Sequence, residues 1–174
     1  MALDVARLLL FPALMAFAAA SDLLTMTISN RVSLLLAAGF LVMALLSGMG
    51  LHEMLSHAGA GLAVLVVAFS CFAMGWIGGG DAKVAAAAAL WFGFGHTLEY
   101  LVYASLLGGV LTLLLLQFRQ WPLPASLYSQ DWLLRLHGKN TGIPYGIALA
   151  FAALLIYPET DWIRAVDLTR FGFQ

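Results

Sequence analysis

The chain has 174 residues, of which 63% are hydrophobic and only 10% charged, and its formal net charge is −1. A soluble domain usually carries about 25% charged residues. The composition therefore excludes a cytosolic enzyme, a secreted domain and a nucleic-acid-binding protein, and it predicts an all-α, polytopic membrane protein forming a single domain over residues 1–174. The one cysteine, Cys71, excludes a disulfide framework and a cysteine-based zinc site.

Six apolar stretches are predicted to cross the membrane, because about 20 apolar residues span its hydrocarbon core. In chain order they are residues 5–21, 32–49, 58–77, 83–95, 97–117 and 142–157. The fourth is short and alanine-rich, and we expect it to pack within protein rather than against lipid. The first resembles a signal-peptide core, but Asp4 beside Arg7 leaves its leading region without net positive charge, which favours a retained span.

The distribution of lysine and arginine orients these spans. Five basic residues lie on the side of the odd-to-even turns and three on the other, and cytoplasmic loops carry the excess. This predicts external termini and cytoplasmic loops at 22–31, 78–82 and 118–141. Within the last loop, residues 128–136 predict a short helix on the membrane surface, and the external tail 158–174 is predicted to lie on the opposite surface in the same way.

Sorting the nine carboxylates by membrane side leaves few candidates for chemistry. Ionisable groups in or near a bilayer are costly and are therefore functional candidates. Only Asp22, Asp81 and Asp131 lie on the cytoplasmic side, and Asp131 belongs to the predicted surface helix, where a solvated charge needs no partner. Asp22 and Asp81 each lie at the end of a span and at one depth, so helix packing can bring them together.

Two close carboxylates have a known chemical use, because they share a proton rather than both ionising. The ionised carboxylate draws a proton from water, which attacks a peptide carbonyl. The protonated carboxylate hydrogen-bonds to that carbonyl and later helps to protonate the leaving amine.

The sequence Gly-Gly-Gly-Asp-Ala-Lys at residues 78–83 separates two apolar stretches. Glycines permit close backbone approach, so an extended substrate could pair with the backbone here. A simpler interpretation is that the glycines end one helix and Asp81 caps the next. Asp22 on its own is typical of an interfacial residue that follows an apolar helix. The local sequence leaves the functional and the structural interpretations open.

Together the motifs resemble a known family. Gly78, Gly80 and Asp81 match the GxGD motif of the intramembrane aspartyl proteases, and Lys83 extends it to GxGDxK. Lys83 has three candidate roles, which are to orient the loop, to meet a substrate acid or to extend to the membrane interface.

The region around Asp22 carries a second resemblance. Asp22, followed by Ile28, Ser29 and Asn30, is similar to the first catalytic motif of prepilin peptidases, in which an aspartate at the end of the first span precedes Ile-Pro-Asn by the same spacing. Ser29 stands where that family has proline. The stretch 143–146 resembles the equivalent stretch in the short prepilin peptidases of Flp/Tad pilus systems.

The resemblance covers about residues 5–157 and implies a GxGD-protease-like architecture of about six transmembrane helices. It implies that Asp22 and Asp81 form the catalytic pair. The residues it implies as supports of the motif are Gly78, Gly80 and Lys83, and the substrate-binding candidates are Asn30, Gly79 and Tyr145.

The implied activity is that of an aspartyl endopeptidase in the bacterial inner membrane, which cleaves the short leader of a prepilin or pseudopilin after a glycine at the cytoplasmic face. The implied partners are this substrate helix, membrane lipid and pilus assembly machinery, and no metal or cofactor is expected. Longer relatives carry a cysteine-rich cytoplasmic insertion and also N-methylate the product. The first cytoplasmic loop here has about ten residues and no cysteine, so we expect cleavage only.

Two other classes of function remain open from the sequence. Asp22 and Asp81 are also compatible with a proton relay in a small transporter or channel subunit. A non-catalytic assembly factor of a pilus or secretion apparatus is the third class. A zinc-protease helix is not favoured, because His52 and His57 are five residues apart, about 140° around a helix, instead of the four that place two ligands on one face.

Overall fold

The computed structural model describes residues 1–166. Over them the chain forms seven α-helices and two 3-10 turns and no strand. The helices are α1 (Ala2–Thr25), α2 (Asn30–Leu46), α3 (Leu51–Ala73), α4 (Gly79–Phe118), α5 (Asp131–His137), α6 (Gly146–Ile156) and α7 (Asp161–Arg164), with the turns at Ala125–Leu127 and Tyr157–Glu159. By length and composition α1, α3 and α4 are each able to cross a membrane, whereas α2 and the segment Gly146–Glu159 are shorter apolar helices. The all-α membrane fold is confirmed.

The predicted fourth and fifth spans form one element, α4, which reverses its direction at a single residue. Gly93 has φ +57° and ψ −172°, outside the helical region. In a straight helix Ala85 and Ala104 would lie about 29 Å apart, yet both line one cavity. The first arm (79–92) and the second arm (94–118) therefore run side by side in opposite directions. The predicted break at residues 95–97 is wrong by two or three residues.

Side chains from three positions donate hydrogen bonds to backbone carbonyls at this reversal, and two of these carbonyls belong to the last turn of the first arm. The His57 Nδ1 donates to the Leu90 carbonyl at 2.7 Å. The Trp162 Nε1 donates to the Trp91 carbonyl at 2.8 Å. The Thr97 hydroxyl donates to the carbonyl of Gly93 itself.

The first arm lies at the centre of the helices. Its alanine run, residues 85–89, is at most 7% exposed, and the arms of α4 contact α2, α3 and α6. Alanine side chains allow helices to approach closely, so the sequence that reads as a weak span is suited to a central position. The expectation that this segment packs within protein is confirmed, although it begins at Gly79 rather than at residue 83.

The helices present two distinct ends, named here the aspartate end, which contains Asp22 and Asp81, and the Gly93 end. An aromatic cluster fills the core near the Gly93 end, where the fully buried ring of Trp91 lies 5.2 Å from Phe11 and 5.3 Å from Trp162 between ring centroids.

The beginning of the predicted surface tail packs into the protein instead. Trp162 in α7 is 5% exposed, because its indole is held against Trp91 by ring contact and by its hydrogen bond to the Trp91 carbonyl. Residues 167–174 of that predicted tail lie outside the described residues.

Candidate active site

Asp22 lies inside the last turn of α1 and is 5% exposed. Its Oδ2 accepts a hydrogen bond from the backbone N–H of Gly146, the first residue of α6, at 2.7 Å. The α1 helix continues to Thr25 and ends at Met26, which has φ +56°. The predicted loop 22–31 is therefore too long, and Asp22 is a helical residue held against α6 rather than an interfacial residue beyond the helix.

Asp81 lies in the first turn of α4. Its carboxylate lies next to Gly78, the residue at the helix N-cap. A Cβ on Gly78 would lie 2.8 Å from Asp81 Oδ2, so glycine there leaves room for the carboxylate. The structural interpretation of Asp81 as the N-cap residue is wrong, because Gly78 is the N-cap of α4 and Asp81 is the third residue of the helix.

The fold brings the two aspartates to one place, since Gly80 beside Asp81 and Gly146, which is bonded to Asp22, both pack against Ile28. Ile28 lies between α4, which carries Asp81, and α6, whose first residue donates a hydrogen bond to Asp22. A Cβ on Gly80 would lie 3.3 Å from Ile28 Cβ, and a Cβ on Gly146 would lie 2.6 Å from Ile28 Cδ1. The glycines at these two positions let α4 and α6 pack closely against this one side chain.

Lys83 and Asn30 join the two sequence motifs directly. The Lys83 Nζ donates to Asn30 Oδ1 at 2.8 Å, between two exposed side chains. Among the three roles considered for Lys83, this contact favours orienting the loop. Ser29 is the N-cap of α2, and its φ of −63° is the value that proline adopts. The backbone therefore keeps the form that the family's proline would have.

Tyr145 immediately precedes α6 and is half-buried. Its hydroxyl donates to the Ala104 carbonyl at 3.1 Å, and its ring covers Gly108, where an added Cβ would lie 2.2 Å from the ring. Tyr145 and Asp81 line the same cavity. Gly79, in contrast, faces Phe72 of α3, to which an added Cβ would come within 3.2 Å.

The sequence reasoning missed Tyr100. This side chain is fully buried, and its hydroxyl has no hydrogen-bond partner among residues 1–166. Electrostatically it interacts with Asp81 and Tyr145. A tyrosine in an apolar span has no local signal that separates it from a core residue, so only the packing reveals it.

Arg119, just after α4, was also missed, and it organises the connection 119–145. Arg119 is a buried residue with 8% of its surface exposed. Its guanidinium donates hydrogen bonds to the carbonyls of Leu136 at 2.9 Å and Gly142 at 2.7 Å. Arg135 of α5 donates to the carbonyl of Leu24 at 2.8 Å. The connection is thereby attached to the last turn of α1, the turn that contains Asp22.

In the described part of the chain, neither Asp22 nor Asp81 forms an ion pair with a basic side chain. Residues 1–166 also contain no group of three or more His, Cys, Asp or Glu side chains that could hold a metal ion. The fold and the site thus define a multi-span membrane protein with two interacting carboxylates at the ends of glycine-lined helices.

Comparison with known proteins gives the family. The sequence profile of the type IV leader peptidase family matches residues 9–113, which is more than half of the chain and includes both aspartates. The protein belongs to the type IV leader peptidase family, a family of peptidases. Searches of curated proteins and of solved structures give no match.

Proposed function

We propose that this protein is a membrane aspartyl endopeptidase that removes the short leader of a prepilin or pseudopilin, with Asp22 and Asp81 as the catalytic pair. The observation that carries the proposal is the approach of these two carboxylates within the region that matches the peptidase family. The family membership also favours a peptidase over a proton-coupled transporter or a non-catalytic assembly factor.

In the proposed reaction, the pair carries one proton and binds one water molecule. The ionised carboxylate takes a proton from the water while the water oxygen attacks the scissile carbonyl carbon. The protonated carboxyl group donates a hydrogen bond to the carbonyl oxygen. When the C–N bond breaks, the leaving nitrogen takes a proton from the pair. One water is consumed, and the products are a leader with a new carboxylate and a mature chain with a new amine. The base and acid roles belong to the coupled pair.

The surrounding residues have supporting roles in this proposal. Gly78 and Gly80 leave room for Asp81 and for Ile28, and Lys83 holds Asn30. Asn30, Gly79 and Tyr145 are proposed to contact the substrate backbone or side chains, and Tyr145 is the member of this group that lines a cavity with Asp81.

We further propose that the enzyme is an inner-membrane protein of the short, Flp/Tad-like kind, with the aspartate end at the cytoplasmic face. It would cleave without N-methylating the product. The connection between α1 and α2 supports this restriction, because α1 ends at Thr25 and α2 begins at Asn30. Four residues leave no room there for the cysteine-rich insertion of the longer, bifunctional relatives.

The test is co-expression of the protein with a candidate prepilin, followed by measurement of prepilin length and of the new N-terminus. The unaltered protein is expected to shorten the prepilin after a glycine, in the presence of a metal chelator as well as in its absence. Asp22→Ala and Asp81→Ala are each expected to abolish shortening. Asp131→Ala is the control, because that carboxylate lies exposed on α5. Shortening by either of the first two variants at the control's rate would contradict the assignment.

A further inference from the structure

A cavity of about 450 Å³ lies between α3 and the second arm of α4. Its α3 wall contains Ala60, Val64, Val67 and Cys71. These positions recur every three or four residues, so they form one face of the helix. We name this cavity the α3–α4 groove, because it extends along the helices and is not confined to one point.

The opposite wall has the same length and the same periodicity. It begins at Phe94, continues through Thr97 and Leu101, and ends at Ser105 of the second arm. Each wall covers eleven residue steps, or about 17 Å at 1.5 Å per residue. Two helix faces of equal length, about three turns each, therefore flank the groove.

The groove is apolar along its length and becomes polar at the aspartate end. There Asp81, Ser105 and Tyr145 contribute to the lining. Near the opposite end, the hydroxyl of Thr97 is already bonded to the Gly93 carbonyl. If an apolar segment lay in the groove, the end of that segment nearest Asp81 would contact polar groups. The rest of the segment would contact apolar side chains.

Small side chains in the walls favour a helix as the occupant. Ala60, Ala63 and Ala104 line the groove, and small residues allow close approach of helices in a membrane. We propose that the α3–α4 groove binds the apolar helix of the substrate and directs its leader junction to Asp81. This inference rests on the proposed function, and it names the surface that would select the substrate.

Cys71 provides a direct probe, because it is the single cysteine of the chain and lies in the groove. The test substrate is a single-span peptide with a short leader ending in glycine and an apolar segment of about 20 residues, carrying one cysteine moved stepwise along that segment. The Asp22→Asn protein is used because loss of this proposed catalytic carboxylate is expected to keep the substrate intact, and Asp22 is outside the groove lining. Disulfide-linked product is measured on non-reducing gels. The control is the same protein with Cys71→Ala and Val66→Cys, since Val66 lies on α3 outside the groove.

Cross-linking from Cys71 is expected at substrate positions three or four residues apart, at about five times or more the yield of the control, as expected for one face of a helix. Equal yields from both positions would overturn the inference. A dominant dimer linked through Cys71 would also overturn it and assign the groove to a second copy of the chain. If neither position forms a cross-link, the occupant of the groove is lipid, and the inference is likewise overturned.

A pair of neighbouring substitutions separates groove binding from catalysis. Val67 and Val66 are 64% and 59% exposed, so tryptophan fits at either without disturbing the core, but only Val67 lines the groove. We expect Val67→Trp to lower kcat/KM for the single-span substrate about tenfold, mainly through KM, and Val66→Trp to change it less than about twofold. If the unaltered protein cleaves the substrate, but Cys71 forms no cross-link and the two Trp variants have equal kcat/KM, the groove proposal is wrong and the proposed function stands. If Cys71 forms the cross-link but the unaltered protein does not cleave the substrate, the proposed function is wrong and binding in the groove stands.

Discussion

Gly146 links α6 to Asp22, because its N–H donates to the carboxylate and its Cα lies against Ile28. An alanine Cβ there would lie 2.8 Å from Asp22 Oδ2 and 2.6 Å from Ile28 Cδ1. Overpacking of this kind typically costs about 1–3 kcal/mol and would displace the carboxylate. We expect Gly146→Ala to lower the rate of leader cleavage about tenfold or more, which corresponds to about 1.4 kcal/mol or more in the barrier.

The control for this prediction is Gly142→Ala, four residues earlier, where an added Cβ would meet nothing within 4 Å. This variant is expected to cleave at close to the unaltered rate. Equal rates for Gly146→Ala and Gly142→Ala would show that α6 does not determine the position of Asp22.

Tyr100 gives a prediction about stability. A buried hydroxyl without a partner carries a desolvation cost of about 1–3 kcal/mol, which its removal relieves. Because the Tyr100 hydroxyl has no partner within residues 1–166, Tyr100→Phe is expected to raise the midpoint of thermal unfolding in detergent. A lower midpoint would mean that the hydroxyl forms a stabilising hydrogen bond in the membrane-embedded protein.

At the residue scale, the sequence was sufficient to select Asp22 and Asp81 as candidates, because carboxylates are rare in this chain and both lie in motif-like contexts. The residues that fix their geometry could not be selected in the same way. Ile28 and Gly146 lie in stretches that resemble the family's motifs, but their packing depends on positions far apart in sequence. Tyr100 has no local signal at all. A prediction from short motifs therefore selects the two candidate aspartates but not the packing that positions them.

Among the elements, the reversal in α4 makes the most specific demand on sequence. Gly93 combines a φ of +57° with the His57 ring, whose Nε2 would lie 2.9 Å from an added Cβ. A non-glycine residue held in such a conformation costs on the order of 1–3 kcal/mol. We expect Gly93→Ala to lower the stability of the protein by about this amount or more, measured by thermal unfolding.

Gly95→Ala is the matched control for this change, because an added Cβ at position 95 would meet nothing within 4 Å. In a helix, alanine is favoured over glycine by about 1 kcal/mol, so this variant is expected to be at least as stable as the unaltered protein. If both variants behave alike, the reversal does not depend on the backbone of Gly93.

The connection after α4 depends on the buried guanidinium of Arg119. Removing it in Arg119→Met leaves the carbonyls of Leu136 and Gly142 without these donors, and hydrogen bonds to charged groups contribute about 1.5–3 kcal/mol each. We expect faster proteolysis within residues 119–145. Arg135→Met, which removes one exposed bond to Leu24, is expected to have a smaller effect. Equal proteolysis rates for the two variants would contradict the role given to Arg119.

At the element scale, hydropathy located the apolar segments, but it did not show where the chain turns. A break at residues 95–97 was expected because Gly95, His96 and Thr97 suggest a loop. The chain instead reverses at one glycine, and His96 continues the helix. The reversal is stabilised by side chains from α3 and α7, so the information for it is distributed over the fold rather than contained in the turn.

At the scale of the whole molecule, composition determined the class, since a chain with so few charges cannot form a soluble surface. The arrangement of helices could not be read from that composition. The central position of the alanine-rich first arm, flanked by α2, α3 and α6, brings Asp81 towards Asp22 and leaves the α3–α4 groove beside it. The approach of the two aspartates and the presence of the groove therefore have one structural origin, which is the burial of an arm with small side chains.

The most direct test of the central claim, that Asp22 and Asp81 act as one catalytic unit, is the rate of leader release by the purified protein in lipid vesicles. Asp22→Asn, Asp81→Asn and the double variant are compared with the unaltered protein. Residues that act as a unit are strongly non-additive, so each single variant is expected to lose about a thousandfold or more and the double variant to be no slower than either. A single variant that keeps more than about a tenth of the rate, or losses that multiply in the double variant, would contradict the account.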